Sequence, residues 1–162
     1  MAAETRTRTE ECICLAVRQA ARHVTQSYDH FLAPAGLRTT QFSILAKLGR
    51  KGPMTINALA ADLVMDRTTL GRNILPLERD GLIAVTSPDS DRRSKELSLT
   101  KAGERRVAAA RKCWSEAQAR FESDFGNRRA ADLRALLRAV VESTFAPGDD
   151  SDAAQTSEPL MP

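Results

Sequence analysis

Aromatic side chains are scarce in this chain, with one Trp, one Tyr and five Phe in 162 residues. Sheet-built cores draw on aromatic and β-branched residues. A chain dominated by Ala, Leu and Arg is expected to be mainly α instead. Cysteine is sparse too: Cys12, Cys14 and Cys113 make no even disulfide framework, which points to a reduced, cytoplasmic setting. No apolar run nears the roughly 18 residues of a membrane span. The opening "MAAETRTRTEE" has no apolar core of a signal peptide, so no membrane partner is expected. The two histidines, His23 and His30, stand about 10 Å apart along a helix, and Cys12 and Cys14 face opposite sides of one. No metal site and no cofactor are therefore expected. A phosphate-cradling glycine loop, an HExxH pair, a nucleophile elbow and a clustered Asp/Glu/His set are all missing. The common enzyme classes lose their chemistry, and no catalytic residue is assigned.

What is present is a basic body with an acidic end. The net charge of +3 includes Asp149, Asp150, Asp152 and Glu158, which sit in a C-terminal stretch without Lys or Arg. Without those four carboxylates, residues 1–146 carry about +7, a weak pointer to an anionic partner. Residues 1–8 read as a flexible N-terminus and 147–162 as a disordered acidic tail.

Between them the periodicity is helical. From about Thr9 to Leu32, Ile13, Val17, Ala20, Val24, Tyr28 and Phe31 recur three or four apart, until "APAG" stops the helix. A second helix, "TTQFSILAKLGRK", turns Phe42, Leu45 and Leu48 inward and ends at Gly52-Pro53. Two short helices follow with similar entrances. Thr55 caps "TINALAADL" and Asp66 caps "DRTTLGRNILPLERDG", with Met54/Leu59 and Met65/Leu70 as hydrophobic staples. So short a connection makes the pair a helix-turn-helix. Pro76 removes one backbone bond inside the second of them and should bend it, and Gly81 ends it. "LIAVTS" and "KELSLT" then form a hairpin, and Thr100 caps a long helix bearing Val107, Ala110, Trp114, Ala117, Phe121 and Phe125. A last helix carries Leu133, Leu136, Leu137, Val140 and Val141.

A helix-turn-helix followed at once by a hairpin is a winged helix, with "SPDSDRRSKELSLT" holding the wing. These residues resemble the MarR family of bacterial transcription regulators. The resemblance runs from about Cys12 to Phe145, through "GLRTTQFSILAKLGRKGPMTINALAADLVMDRTTLGRNILPLERDGLI", the wing "DRRSKELSLTKAG" and "CWSEAQ". The expected organisation is a winged helix-turn-helix lobe at 37–100 and a helical dimerisation region built from 9–36 and 101–146.

With Leu70, Ile74 and Leu77 facing the core, helical geometry places Thr68, Arg72 and Arg79 opposite, and Arg67, Thr69 and Asn73 on the flanks. Arg can take a guanine edge and Asn an adenine edge in a major groove of double-stranded DNA, so Arg67, Thr68, Thr69, Arg72 and Asn73 are candidate DNA contacts. Arg79, beyond Pro76, is expected to meet phosphate or an acidic neighbour. The resemblance implies that Asp91 braces the wing while Arg92 enters the minor groove, with Arg93 and Lys95 as phosphate contacts. Residues 66–95 hold six basic and five acidic side chains, so placement and not net charge must do the steering. A winged helix used only for protein contacts is the competing class, and it predicts little salt dependence.

The outer helices carry more apolar surface than a small winged-helix core can cover, which suggests a partner. The resemblance implies a twofold homodimer that reads a pseudo-palindromic operator. Trp114 is expected as a core or interface anchor. Family members commonly release DNA when a small, often aromatic and anionic, effector binds. Arg18, Arg22 and His23 on the first helix are the candidates for such a site. The first helix also resembles the family's hydroperoxide-sensing branch, whose reactive cysteine lies fourteen residues before a tyrosine, as Cys14 lies before Tyr28. About 21 Å of helix separates the two, so only an antiparallel partner helix could join them. Arg18 and Thr39 stand where that branch has further tyrosines. Cys14 is thus the candidate of an alternative, thiol-sensing reading, with Cys113 as a possible resolving thiol.

Overall fold

The computed structural model describes residues 11–87 and 95–143. The expected flexible N-terminus, the wing residues Asp91, Arg92 and Arg93, and the acidic tail lie outside the described residues. The chain divides into two compact units, Met1–Arg120 and Phe121–Pro162.

In the first unit, α1 spans Ile13–Leu32, followed by a 3-10 turn at Ala33–Ala35. Helix α2 (Thr39–Lys51) leads to a two-residue strand β1 (Met54–Thr55), then α3 (Ile56–Asp62) and α4 (Arg67–Arg79). Strands β2 (Ile83–Thr86) and β3 (Glu96–Leu99) precede α5 (Lys101–Phe125), whose last residues belong to the second unit. The fold is mainly α with a small antiparallel sheet of order β1-β3-β2. The hairpin register pairs Ile83 with Leu99 and Val85 with Leu97. Strand β1 is an addition to the expected hairpin: Met54 pairs with Leu97 and Thr55 with Glu96, which ties the helix-turn-helix to the base of the wing.

The helix ends follow from local chemistry. Thr55 Oγ1 accepts from Ala58 N at 3.1 Å, and Asp66 Oδ1 accepts from Thr69 N at 2.8 Å, each satisfying one orphan donor. At the end of α4, Gly81 takes φ +67, which an L side chain rarely adopts. Leu82 N then reaches Leu77 O and Gly81 N reaches Glu78 O, both at 2.9 Å, a Schellman closure with Leu77 and Leu82 buried beneath it. Helix α4 continues through Pro76, which gives no N–H to the Arg72 carbonyl.

The core of this unit is apolar and unites Leu32, Phe42, Ile44, Leu45, Leu48, Leu59, Leu70, Ile74, Leu77, Leu82, Leu97 and Val107. Leu70, Ile74 and Leu77 on α4 are all buried, as the periodicity predicts. Helix α1 buries only Leu32 and leaves Ile13 73%, Leu15 37% and Val17 39% exposed. The second unit carries α6 (Asn127–Glu142). Within it Arg129 lies 4.4 Å over the Phe125 ring and Arg134 bonds Glu122 at 2.9 Å. Leu136, Leu137, Val140 and Val141 of α6 are exposed.

Candidate nucleic-acid interface and adjoining cleft

Because its apolar stripe is clamped in the core, α4 presents the opposite face outward by geometry alone. Arg67, Thr68, Thr69 and Arg72 are exposed and Asn73 is half-buried. Two of these side chains also have local work. Thr69 Oγ1 donates to Asp66 Oδ2 at 2.6 Å, and Asn73 Nδ2 donates to Thr69 O at 2.8 Å. The Thr69 hydroxyl and amide together hold the Asp66 carboxyl below its ordinary value, so the cap stays ionised at the helix N-terminus. Thr68 and Arg72 point outward from a helix whose entry is fixed. Arg79 pairs with its neighbour Asp80 at 3.2 Å, the acidic alternative expected for it.

Leu75 is 64% exposed and shares the stripe of Thr68 and Arg72. In the turn before α4, Val64 is 71% exposed with φ +51, a backbone state costly for a β-branched residue. Lys95 is exposed at the base of the wing, and its carbonyl accepts from Ile56 N at 3.2 Å.

Helices α1, α2 and α5 line an open cleft of about 750 Å³, a size typical of small-molecule sites. Phe42 and Trp114 stack in its wall with ring centroids 6.3 Å apart and planes at 23°. Val24 and Ala46 extend the apolar wall, while Thr25, Tyr28, Thr39, Ser43 and Ser115 add hydroxyls. Tyr28 Oη donates to Gln118 Oε1 at 2.7 Å. Among the described residues, three cations reach the lining, Lys47, Arg50 and Arg111, and no carboxylate does. Asp29 lies just outside it, accepting from Thr39 N at 2.6 Å and from Thr39 Oγ1 at 2.7 Å. Burial pushes the Asp29 carboxyl up, but the Thr39 bonds and the Arg38 charge outweigh it and hold it below its ordinary value.

The sequence pointed elsewhere for this cleft. Arg18, Arg22 and His23 are exposed on α1 and are not among its lining residues. Trp114, expected as a core or interface anchor, is 39% exposed and forms part of the wall. A single helix's periodicity shows which face is apolar but not which three helices enclose a space. Cys14 is exposed on α1, and Cys113 is half-buried against the core.

One ion-pair cluster joins the cleft to the helix-turn-helix. Asp62, the last residue of α3, has Oδ2 shielded from solvent and 2.7 Å from Lys47 Nζ, an ion pair lacking good hydrogen-bond angles. Its Oδ1 accepts from Lys51 Nζ at 2.6 Å. The Lys47 and Lys51 ammoniums bring the Asp62 carboxyl from 3.8 down to about 2.

The sequence pattern of the MarR family matches residues 37–95, which span α2 to the base of β3. The M. tuberculosis transcriptional regulator MosR, solved in complex with DNA, is 37% identical. Its superposition covers 80% of this chain and 96% of that one with a TM-score of 0.69. The transcriptional activatory protein BadR of Rhodopseudomonas palustris is 38% identical over 71 residues, 42% of this chain and 41% of BadR. The organic hydroperoxide resistance transcriptional regulator of Bacillus subtilis is 27% identical over 94 residues, 58% of this chain and 64% of that protein. The chain thus matches less than two thirds of the length of these two relatives.

Proposed function

The chain belongs to the MarR family of transcriptional regulators, DNA-binding proteins rather than enzymes, and from that premise we propose how it binds and is controlled. A homodimer reads a pseudo-palindromic operator, with α4 in the major groove and the wing at 87–95 in the minor groove. It acts as a repressor, and a small-molecule effector releases it. The observation that carries this reading is α4 itself: Leu70, Ile74 and Leu77 fix it in the core while Thr68 and Arg72 stand exposed on the opposite face. Support for DNA as partner comes from MosR, which was solved bound to it. Exposed apolar residues on α1 and, separately, on α6 support pairing of two copies. The effector reading is supported by the cleft, whose apolar wall and three lining cations suit an aromatic anion.

The test is a base-substitution scan of duplexes drawn from the DNA adjoining the coding sequence, using wild type and Arg72→Ala. The variant is expected to lose about 1–3 kcal/mol and its preference at one base position. Equal weakening on every duplex would make Arg72 a phosphate contact. Because BadR is named as an activator, the sign of regulation needs its own readout: a promoter fusion should rise when the regulator is deleted.

A second reading keeps the same fold and uses Cys14 as a thiol sensor. Two observations favour it, the exposure of Cys14 and the similarity to a regulator named for organic hydroperoxide resistance. Organic hydroperoxide should then release DNA from wild type but not from Cys14→Ser, and equal release from both would remove Cys14 from the account.

A further inference from the structure

Lys47 belongs to two sites at once. Its side chain lines the cleft among Phe42, Ser43, Ala46 and Arg50, and its ammonium stands against Asp62 at the end of α3. Both side chains of that pair are mostly withdrawn from solvent, Lys47 at 28% and Asp62 at 20% exposure. The contact is therefore screened less than an open surface pair. Its geometry is electrostatic rather than a well-angled hydrogen bond, while Lys51 makes the angled bond to the other oxygen. Lys51 is not among the cleft residues. Among the described residues, neither Arg50 nor Arg111 has a carboxylate partner, so of the three cleft cations only Lys47 is balanced, by Asp62.

We propose that Lys47 couples the cleft to the helix-turn-helix: an acidic group of an apolar, planar ligand recruits Lys47 away from Asp62 and loosens α3 from α2. This rests on the effector reading above and adds the route of its transmission through Lys47 and Asp62. The ring system of the ligand lies along Phe42, Trp114, Val24 and Ala46, and its anion sits among Lys47, Arg50 and Arg111. The Asp62 carboxylate holds the Lys47 ammonium at 2.7 Å. A bound carboxylate competes for the same ammonium, and Asp62 keeps only Lys51. Helix α3 is seven residues long, so its own hydrogen bonds hold it weakly. Its position therefore depends on packing and on this end contact, and α4 follows after a short turn. A neutral ligand of the same shape fills the cleft without drawing Lys47 across. By linkage, whatever holds Lys47 on Asp62 weakens the ligand, and the ligand weakens that hold equally.

The test uses the full chain, 2-naphthoate as probe and 2-naphthylmethanol as its neutral counterpart. Binding is read by calorimetry, and the state of α3 by amide hydrogen exchange over Ile56–Asp62. Saturating naphthoate is expected to speed α3 exchange in wild type by roughly fivefold or more. The alcohol is expected to bind about tenfold more weakly and to leave α3 unchanged. Lys47→Met should show fast α3 exchange already without ligand and no further response. Asp62→Asn keeps every cleft cation, so it tests the coupling even if Lys47→Met folds poorly. It should bind naphthoate more tightly than wild type, with α3 insensitive to it. The proposal is overturned by naphthoate binding that leaves wild-type α3 exchange unchanged, or by weaker naphthoate binding to Asp62→Asn. Absence of naphthoate binding at millimolar concentration overturns it too. None of these readouts involves DNA, so a failure of operator binding is scored separately.

Discussion

Gly103→Ala should destabilise the first unit although alanine is the better helix former. Gly103 is buried in the first turn of α5, where Thr100 joins three segments. Thr100 Oγ1 accepts from Gly103 N at 3.0 Å and donates to Gly81 O at 2.7 Å, while Thr100 N donates to Leu82 O at 3.1 Å. A Cβ on Gly103 would fall onto the Leu82 carbonyl oxygen, with Leu82 C at 3.0 Å and Leu99 Cδ2 at 3.1 Å. A carbonyl oxygen cannot swing aside like a side-chain tip. Moving it shifts the start of β2 and strains the Thr100 N–H bond. Overpacking of this kind costs about 1–3 kcal/mol, and a weakened hydrogen bond adds about 1 kcal/mol. The helix propensity of alanine returns about 1 kcal/mol. The net loss is therefore about 1–3 kcal/mol, or a fall in Tm of roughly 3–10 °C for a chain of this length. Gly71→Ala is the internal control, because a Cβ on Gly71 meets nothing within 4 Å and α4 there needs no positive φ. That variant should gain about 0.5–1 kcal/mol. Thermal denaturation at one fixed protomer concentration reads both. A Gly103→Ala protein as stable as wild type would refute the steric argument.

Acid should act through Asp62. Its folded pKa of about 2 lies below the ordinary 3.8, so the stability it contributes is complete above about pH 4 and is lost as pH falls towards 2. Comparing urea unfolding at pH 7 and pH 3, wild type should lose more stability than Asp62→Asn, by about 1 kcal/mol after allowance for solvent screening. Equal pH dependence would show that the lysines do not hold the carboxylate. Val64→Asn should raise stability by up to about 1 kcal/mol, because Asn tolerates the left-handed backbone better and Val64 buries little. A loss measured by urea titration would mean that Val64 makes contacts worth more than its strain. Arg92→Ala should weaken operator binding without altering base preference within the half-sites, and unchanged affinity would leave the wing unused.

The parts of the fold readable in the sequence are those governed by nearby residues. Thr55, Asp66 and Thr100 cap helices because a hydroxyl or carboxylate three residues before an orphan N–H suffices. Gly81 ends α4 because the left-handed position admits it. The buried stripe Leu70, Ile74 and Leu77 follows from period alone. Strand β1 was not readable: two residues carry no alternation, and its partner Leu97 lies far along the chain. The cleft was hidden for a related reason. The polar residues Arg18, Arg22 and His23 are adjacent on α1 and legible as a group, whereas Lys47, Arg50 and Arg111 come from α2 and α5 and meet only after folding. One signal was available in Lys47 itself, a charge one residue from the buried Leu48 and within the stretch that carries the buried stripe Phe42, Leu45 and Leu48.

The most direct test of the central claim is the salt dependence of binding to a duplex from the DNA adjoining the coding sequence, followed by fluorescence anisotropy. Paired copies seating two α4 helices and two wings should neutralise several phosphates. The logarithm of the binding constant should then fall linearly with the logarithm of salt, with a slope of about −4 or steeper. A slope near zero, or no binding to any such duplex at low salt, would contradict it.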